Sequence, residues 1–217
     1  MSWSGTVVVS LPLRSFQLAK FMRLLHSYSS MLVLVLLLFF AITGITLNHP
    51  DLLYSKAGQL SSQQVLSLPE HLRYSSLPQS EQQQAQIAEQ FRNWLRDEHQ
   101  VKASVFSYLF EPDDMLLELD FKRPAGYATA IVDFSNHTAE LELEFNGYLA
   151  LLNDLHKGRN AGTSWIVLID ITALACIIFS LTGFWLILKQ PSRRSIGNSL
   201  AMLGIFISLF AYILSLH

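Results

Sequence analysis

Three long apolar stretches, each long enough to cross a lipid bilayer, constrain the fold of this chain more than any other sequence feature. They run over about 28–47, 165–188 and 196–216, and the only charged residue inside them is Asp170. A membrane-spanning helix needs about 20 mostly apolar residues. A cleaved signal peptide has a shorter apolar segment that ends in small residues, whereas the first stretch ends in Asn48-His49-Pro50. The sequence therefore predicts an α-helical membrane protein with three transmembrane helices.

The distribution of charge predicts how these helices are oriented. Lysine and arginine are enriched in cytoplasmic segments next to membrane helices. The segment between the first two stretches contains 16 acidic and 9 basic residues, so we expect it to be extracytoplasmic. Basic residues instead mark two flanks that we expect to be cytoplasmic: Arg14, Lys20 and Arg23 before the first stretch, and Lys189, Arg193 and Arg194 between the second and third.

The same pattern gives a predicted location and organisation for the whole chain. We expect a multi-pass membrane protein, with the lipid bilayer as its surroundings. The net charge of −2 leaves no basic surface for nucleic acid. The predicted segments are a cytoplasmic arm (1–27), transmembrane helix 1 (28–49), an extracytoplasmic domain (50–160), transmembrane helix 2 (162–188), a cytoplasmic turn (189–195) and transmembrane helix 3 (196–216).

The extracytoplasmic segment is predicted to be a small α+β domain. The stretch 51–80, with Pro69 and Pro78, is expected to be irregular. A helix is expected from about Ser80 to His99, because apolar residues recur in it at helical spacing. Four strands separated by turn sequences follow near 104–110, 115–121, 127–133 and 137–145. The expected domain is a helix packed on an antiparallel meander.

Enzymatic motifs are absent from this domain. It contains no nucleophile elbow, no HExxH sequence and no glycine-rich phosphate loop. The single cysteine, Cys176, excludes an internal disulfide and a multi-cysteine metal site. No catalytic residue is therefore predicted.

Histidines at the ends of the first two helices are the candidate cofactor ligands. His49 and His156 both lie near the predicted outer surface, whereas His26 lies about 34 Å from His49 along an ideal helix, at the inner end. Two imidazoles on adjacent helices can hold a b-type haem in a helix bundle. Gly44 and Gly183 are the small residues expected to admit the porphyrin, one at each membrane face. The alternatives left open at the inner face are a ligand from a second chain, a five-coordinate haem and no haem.

Ordinary membrane-protein chemistry offers a simpler explanation for the same residues. Histidine suits a membrane interface, and glycine often serves helix packing. Asp170 lies about two turns inside the second helix, where ionisable residues are costly and are candidates for function. It is expected either to tune proton or electron transfer or to pair with Lys157 or Arg159.

In these regions the sequence resembles the PepSY-associated transmembrane helix family of bacteria. The resemblance lies in Arg23-Leu24-Leu25-His26, in the sequence Thr43-Gly44-Ile45-Thr46-Leu47-Asn48-His49-Pro50, in Leu152-Asn153-Asp154-Leu155-His156-Lys157-Gly158-Arg159, and in the strand pair around Gly126-Tyr127-Ala128-Thr129. It implies a multi-pass protein of the bacterial inner membrane, with residues 50–160 as a periplasmic PepSY-like domain. Relatives include ferric-siderophore reductases that pass electrons through haem held by helix histidines, and some occur with flavin-bearing partners.

The resemblance favours one function and leaves two others open. It implies a membrane electron-transfer subunit with His49, His156 and His26 as haem ligands. A quinol donor and a periplasmic flavoprotein or cytochrome are the expected redox partners. The chain departs from the larger reductases because it has three helices and no flavin- or nicotinamide-binding domain. The alternatives are a membrane-anchored PepSY module that binds or regulates peptidases, and an accessory subunit without a cofactor.

Overall fold

The fold contains three long apolar helices, as the sequence predicts. The computed structural model describes residues 13–49, 58–74, 76, 78 and 80–216. The helices are α1 (Leu13–Asn48), α4 (Gly162–Leu188) and α5 (Pro191–Ser215). Each contains a span long and apolar enough to cross a membrane. The predicted three long apolar helices of a membrane protein are therefore confirmed. Part of the predicted arm (1–12), the segment 50–57 and the terminal His217 lie outside the described residues.

The structure separates into two compact units whose boundaries fall inside α1 and α4. One unit contains α1 as far as Leu38 and the chain from Asp170 onward. In this unit α4 is followed by a short turn and by α5, which begins with Pro191 at its first position, where proline is well tolerated. The other unit, Phe39–Ile169, contains the α+β domain.

The α+β domain is built on a five-stranded antiparallel sheet in the order β1-β5-β4-β3-β2. Four strands confirm the predicted meander. The strands are β1 (Leu60–Ser67), β2 (Val105–Glu111), β3 (Leu116–Arg123), β4 (Gly126–Asp133) and β5 (Thr138–Phe145).

Strand β1 is a correction to the expectation that 51–80 is irregular. It pairs along its whole length with β5, from Leu60 opposite Phe145 to Ser67 opposite Thr138. Its sequence, LSSQQVLS, is largely polar and its side chains are almost all exposed. Because backbone hydrogen bonds to β5 form this edge strand, its side chains carry little of the alternation that marks a half-buried strand.

Helix α2 (Glu81–His99) covers one face of the sheet, as predicted. It begins at Ser80, whose Oγ accepts a hydrogen bond from the Gln83 amide at 3.3 Å. It ends at Gln100, which adopts a left-handed backbone conformation. Its apolar side packs into a core that contains Phe91 and Leu95 from the helix, and Leu117, Leu119 and Phe121 from β3.

A short helix joins the domain to α4. Helix α3 (Tyr148–Lys157) ends at Gly158, whose amide donates to the carbonyls of Asp154 and Leu155 and whose φ is positive, at 67°. This left-handed cap turns the chain towards Gly162, where α4 begins. Helix α3 carries His156 in its last turn.

Candidate functional site

Gly44 and Gly183, the two glycines predicted to admit a porphyrin, each end the same five-residue pattern, Phe-x-x-Thr-Gly. The pattern is Phe40-Ala41-Ile42-Thr43-Gly44 in α1 and Phe179-Ser180-Leu181-Thr182-Gly183 in α4. Residues three apart share a helix face, so phenylalanine and threonine point to the same side. In the structure each pattern contacts one histidine from a distant part of the chain. We name these the His26 site and the His156 site.

The His26 site consists of His26 and the second pattern. His26 Nδ1 lies 3.1 Å from the Phe179 carbonyl oxygen and 3.2 Å from Thr182 Oγ1. The imidazole stacks on the Phe179 ring with the centroids 4.7 Å apart and the planes 12° from parallel. A Cβ added to Gly183 would lie 2.9 Å from His26 Cε1, so glycine is needed for this approach.

The His156 site has the same components in a looser arrangement. His156 Nδ1 lies 2.6 Å from Thr43 Oγ1. The imidazole meets Phe40 edge to face, with the centroids 5.2 Å apart and an interplanar angle of 72°. A Cβ added to Gly44 would lie 3.5 Å from His156 Cε1, which is ordinary contact. In both sites the space that a side chain at the glycine would occupy therefore borders the imidazole ring.

Oxygen atoms surround Nδ1 of both histidines and favour a proton on that nitrogen. Thr43 Oγ1 lies 2.7 Å from the Phe39 carbonyl, and Thr182 Oγ1 lies 2.6 Å from the Ile178 carbonyl, so each hydroxyl can donate its one proton to its own helix. A hydroxyl that does so accepts a hydrogen bond from the histidine. At the His26 site the Phe179 carbonyl is a second acceptor. We therefore expect both imidazoles to donate from Nδ1–H, which in the neutral ring leaves a lone pair on Nε2.

Threonine is the residue of both sites to which the sequence analysis gave no role. Thr43 is 2% exposed and Thr182 is 5% exposed, and both are among the few buried polar residues. A buried hydroxyl normally satisfies its hydrogen bonds, and here it does so by bridging a helix carbonyl and an imidazole. The recurrence of Phe-x-x-Thr-Gly in two apolar helices was the available signal.

The structure does not bring all predicted site residues together. His49 is exposed at the residue following α1, and in the described part of the chain it has no hydrogen bond or ring contact with His156. Asp170 is exposed on α4, and among the ion pairs that the described residues form, none includes it. Within those same ranges no group of three or more histidine, cysteine or acidic residues is arranged to bind a metal.

The fold and the two histidine sites define a class: a membrane protein with three apolar helices and a PepSY-like α+β domain inserted between the first two. A family comparison agrees with this class. The model of the PepSY_TM-like family matches residues 17–217, which is nearly the whole chain. The protein belongs to this family, and the resemblance seen in its sequence motifs is confirmed. No curated protein and no solved structure matches the chain significantly.

Proposed function

We propose that the protein is a membrane electron-transfer subunit that binds b-type haem through His26 and His156. The supporting observation is the position of the two Nδ1 atoms, each of which lies within hydrogen-bond distance of an oxygen atom. Histidines that ligate metals usually donate their other ring N–H to an oxygen acceptor, which sets the ring orientation and raises its basicity. With the proton on Nδ1, both sites have this arrangement and leave Nε2 for a metal.

The surroundings of His26 are apolar, which suits the binding of an iron porphyrin. An open apolar cleft of about 310 Å³ lies beside Thr182 and Trp185 on α4 and Met22 and Leu25 on α1. An apolar environment around a haem is one determinant of its potential, together with the axial ligand and its hydrogen bonds. Bound haem would supply one-electron chemistry at its iron. The chain's own residues orient the imidazole and exclude water from its Nδ1 side.

Each site in one chain contributes one oriented imidazole. We propose that His49 supplies the second ligand to the His156 site, and that a second chain or a redox partner completes the His26 site. Gly44 and Gly183 contribute by letting the imidazoles approach the helix backbone. The donor on the cytoplasmic side is proposed to be a quinol, and the acceptor a periplasmic flavoprotein or cytochrome.

The charge distribution supports the proposed location. The α+β domain carries the acidic excess, and basic residues lie in the α4–α5 turn, in the first turn of α5 and near the start of α1. By the positive-inside rule this favours a domain on the periplasmic side of the bacterial inner membrane. Asp170, an exposed carboxylate on an apolar helix, is proposed to take part in proton transfer or to adjust the haem potential.

The test is haem content and the reduced-minus-oxidised visible spectrum of the full chain, purified in detergent after expression with ample haem. We expect haem in the wild-type protein, a large loss in His26→Ala and in His156→Ala, and a smaller loss in His49→Ala. The matched control is His71→Ala, because His71 is an exposed histidine of the α+β domain. Folded wild-type protein without a Soret band would overturn the proposal.

A specific surface feature favours the anchored binding module as the second candidate. The sheet face opposite α2 exposes apolar side chains, with Val65 71%, Leu109 55% and Ile131 40% exposed. Val65 and Ile131 line a shallow depression of about 240 Å³. Exposed apolar side chains that cluster can mark a protein interaction surface. A haem-free protein whose function is lost in Val65→Asp and Ile131→Asp, but kept in His26→Ala, would support this candidate.

A further inference from the structure

A polar cleft in the α+β domain lies outside both histidine sites. Its volume is about 310 Å³, and it lies between the β3–β4 hairpin and the turn that joins α3 to α4. Basic side chains reach it from both of these segments: Lys122 and Arg123 from β3, and Arg159 from the turn. Asn146 and Asn160 add amide groups to its lining.

Three basic side chains and two acidic ones, Asp120 and Asp154, line this cleft, and each acidic one accepts a hydrogen bond from a neutral donor. Across the described ranges, no ion pair includes Lys122, Arg123 or Arg159. Asp154 Oδ2 accepts a hydrogen bond from the Ala125 amide at 2.9 Å, and Asp120 Oδ1 accepts from the Thr129 hydroxyl at 3.0 Å. The cleft therefore presents three cationic groups whose hydrogen-bond donors remain available to an anion.

A neighbouring acidic group is also occupied. Glu144 Oε2 accepts a hydrogen bond from the Tyr127 hydroxyl at 2.5 Å. This hydrogen bond raises the pKa of Tyr127 to about 12, from its ordinary value of 10. Tyr127 therefore acts as a neutral donor to Glu144, whose carboxylate lies beside the cleft.

The hairpin tip that carries two of these cations is held in place from both sides. The Asp154 bond ties Ala125 to α3, and the Asn146 amide donates to the Ala125 carbonyl at 2.7 Å. Gly126 is required next to it, because an added Cβ would collide with the Glu144 carbonyl. A site whose parts are fixed before binding loses less conformational entropy when its ligand arrives.

The cleft lies next to the start of a membrane helix. Arg159 and Asn160 shortly precede Gly162, where the apolar span of α4 begins. Trp165, in the first turns of α4, donates its indole N–H to the Leu155 carbonyl at 2.8 Å. Tryptophan is enriched at the depth of lipid headgroups. The cationic groups are therefore placed where a bilayer presents phosphate groups.

We propose that this cleft binds the phosphate group of an anionic phospholipid in the leaflet next to the α+β domain. Guanidinium groups match the geometry of phosphate oxygens, and an ammonium group adds a point charge. The bound lipid would hold the β3–β4 hairpin and the α3–α4 turn at the membrane surface. This site is independent of haem and of the electron-transfer proposal.

The test compares two double variants of the full chain in neutral detergent, each losing two positive charges. Lys122→Gln/Arg159→Gln removes cations of the cleft. Lys102→Gln/Lys157→Gln removes cations that do not line it, including one on α3. Binding of phosphatidylglycerol and of phosphatidylcholine with the same acyl chains is measured by native mass spectrometry. Inorganic phosphate is titrated separately, and circular dichroism checks that each variant is folded.

We expect the wild-type protein to bind phosphatidylglycerol at least about fivefold more tightly than phosphatidylcholine, since the cleft supplies charge-assisted hydrogen bonds. The cleft variant should lose this preference, and the control variant should keep it within about twofold. Equal losses in the two variants would show general charge attraction and overturn the assignment to this cleft. Phosphate binding that depends on the cleft, without a preference between the lipids, would overturn the lipid in favour of a free anion. If neither lipid preference nor phosphate binding is seen, the site does not exist.

Discussion

The His26 and His156 sites are built from the same residue types, but they differ in how closely the glycine is packed and in how many acceptors Nδ1 has. Both place an imidazole on a Phe-x-x-Thr-Gly segment and accept its Nδ1–H on a threonine hydroxyl. At the His26 site the glycine approach is tight and a backbone carbonyl supplies a second acceptor. At the His156 site the glycine approach is ordinary and the threonine is the only acceptor described.

The two sites share the Phe-x-x-Thr-Gly pattern, but a different residue of the pattern constrains the histidine in each site. The His26 site should be sensitive to added volume at its glycine. The His156 site should be sensitive to loss of its hydroxyl. These two expectations are tested by making the same substitution at the equivalent position of each site and comparing the loss of stability.

The largest expected effect follows alanine substitution of the glycines. Gly183→Ala places a methyl group 2.9 Å from His26 Cε1, so the ring or the helix must move. Overpacking of this kind costs about 1–3 kcal/mol. Gly44→Ala makes ordinary contact and should cost less than about 0.5 kcal/mol. Reversible unfolding in mixed detergent micelles measures both free energies.

Gly204 in α5 provides the control for this pair. An added Cβ at Gly204 has no neighbour within 4 Å, so Gly204→Ala should not destabilise the protein. Equal losses of stability in Gly183→Ala and Gly44→Ala would contradict the proposed difference in packing.

An intermediate effect is expected from threonine to valine substitutions, in the opposite order. Thr43→Val removes the only described acceptor of the His156 Nδ1–H and should cost about 1 kcal/mol, the scale of interhelical hydrogen bonds in membrane proteins. Thr182→Val leaves the Phe179 carbonyl in place and should cost less than half as much. The same unfolding measurement applies, and Thr43→Ser, which retains a hydroxyl, should recover most of the loss.

The smallest expected effect is a change in which nitrogen of a histidine ring carries the proton. In ¹⁵N NMR spectra of histidine-labelled protein, neutral His26 and His156 should both carry the proton on Nδ1, whereas exposed His71 should show a mixture of tautomers. In Thr43→Val, His156 should lose this preference, while His26 should keep it in Thr182→Val because the carbonyl still accepts. A proton on Nε2 in either wild-type ring would remove the main support for metal ligation at that site.

Much of the architecture follows from local patterns in the sequence. Three features can be predicted from the sequence of the segment in which they occur. They are the apolar spans, the Ser80 cap of α2, and the alternation of buried and exposed residues in β3, β4 and β5. Strand β1 could not be recognised in this way, because its pairing with β5 uses backbone groups that every residue has. His49 remains a predicted ligand on the basis of the sequence and the family resemblance, since the structure gives it no described partner.

By itself, the sequence determined that this is a membrane protein with three apolar helices, that its α+β domain lies between the first two, and that histidines stand near the helix ends. These properties depend on hydrophobicity and periodicity, which are local. Only the tertiary structure decided which histidine meets which threonine, because the partners are separated by 113 and 156 residues. It also placed oxygen atoms beside Nδ1 of each ring, which favours a proton on that nitrogen and could not be inferred from local patterns.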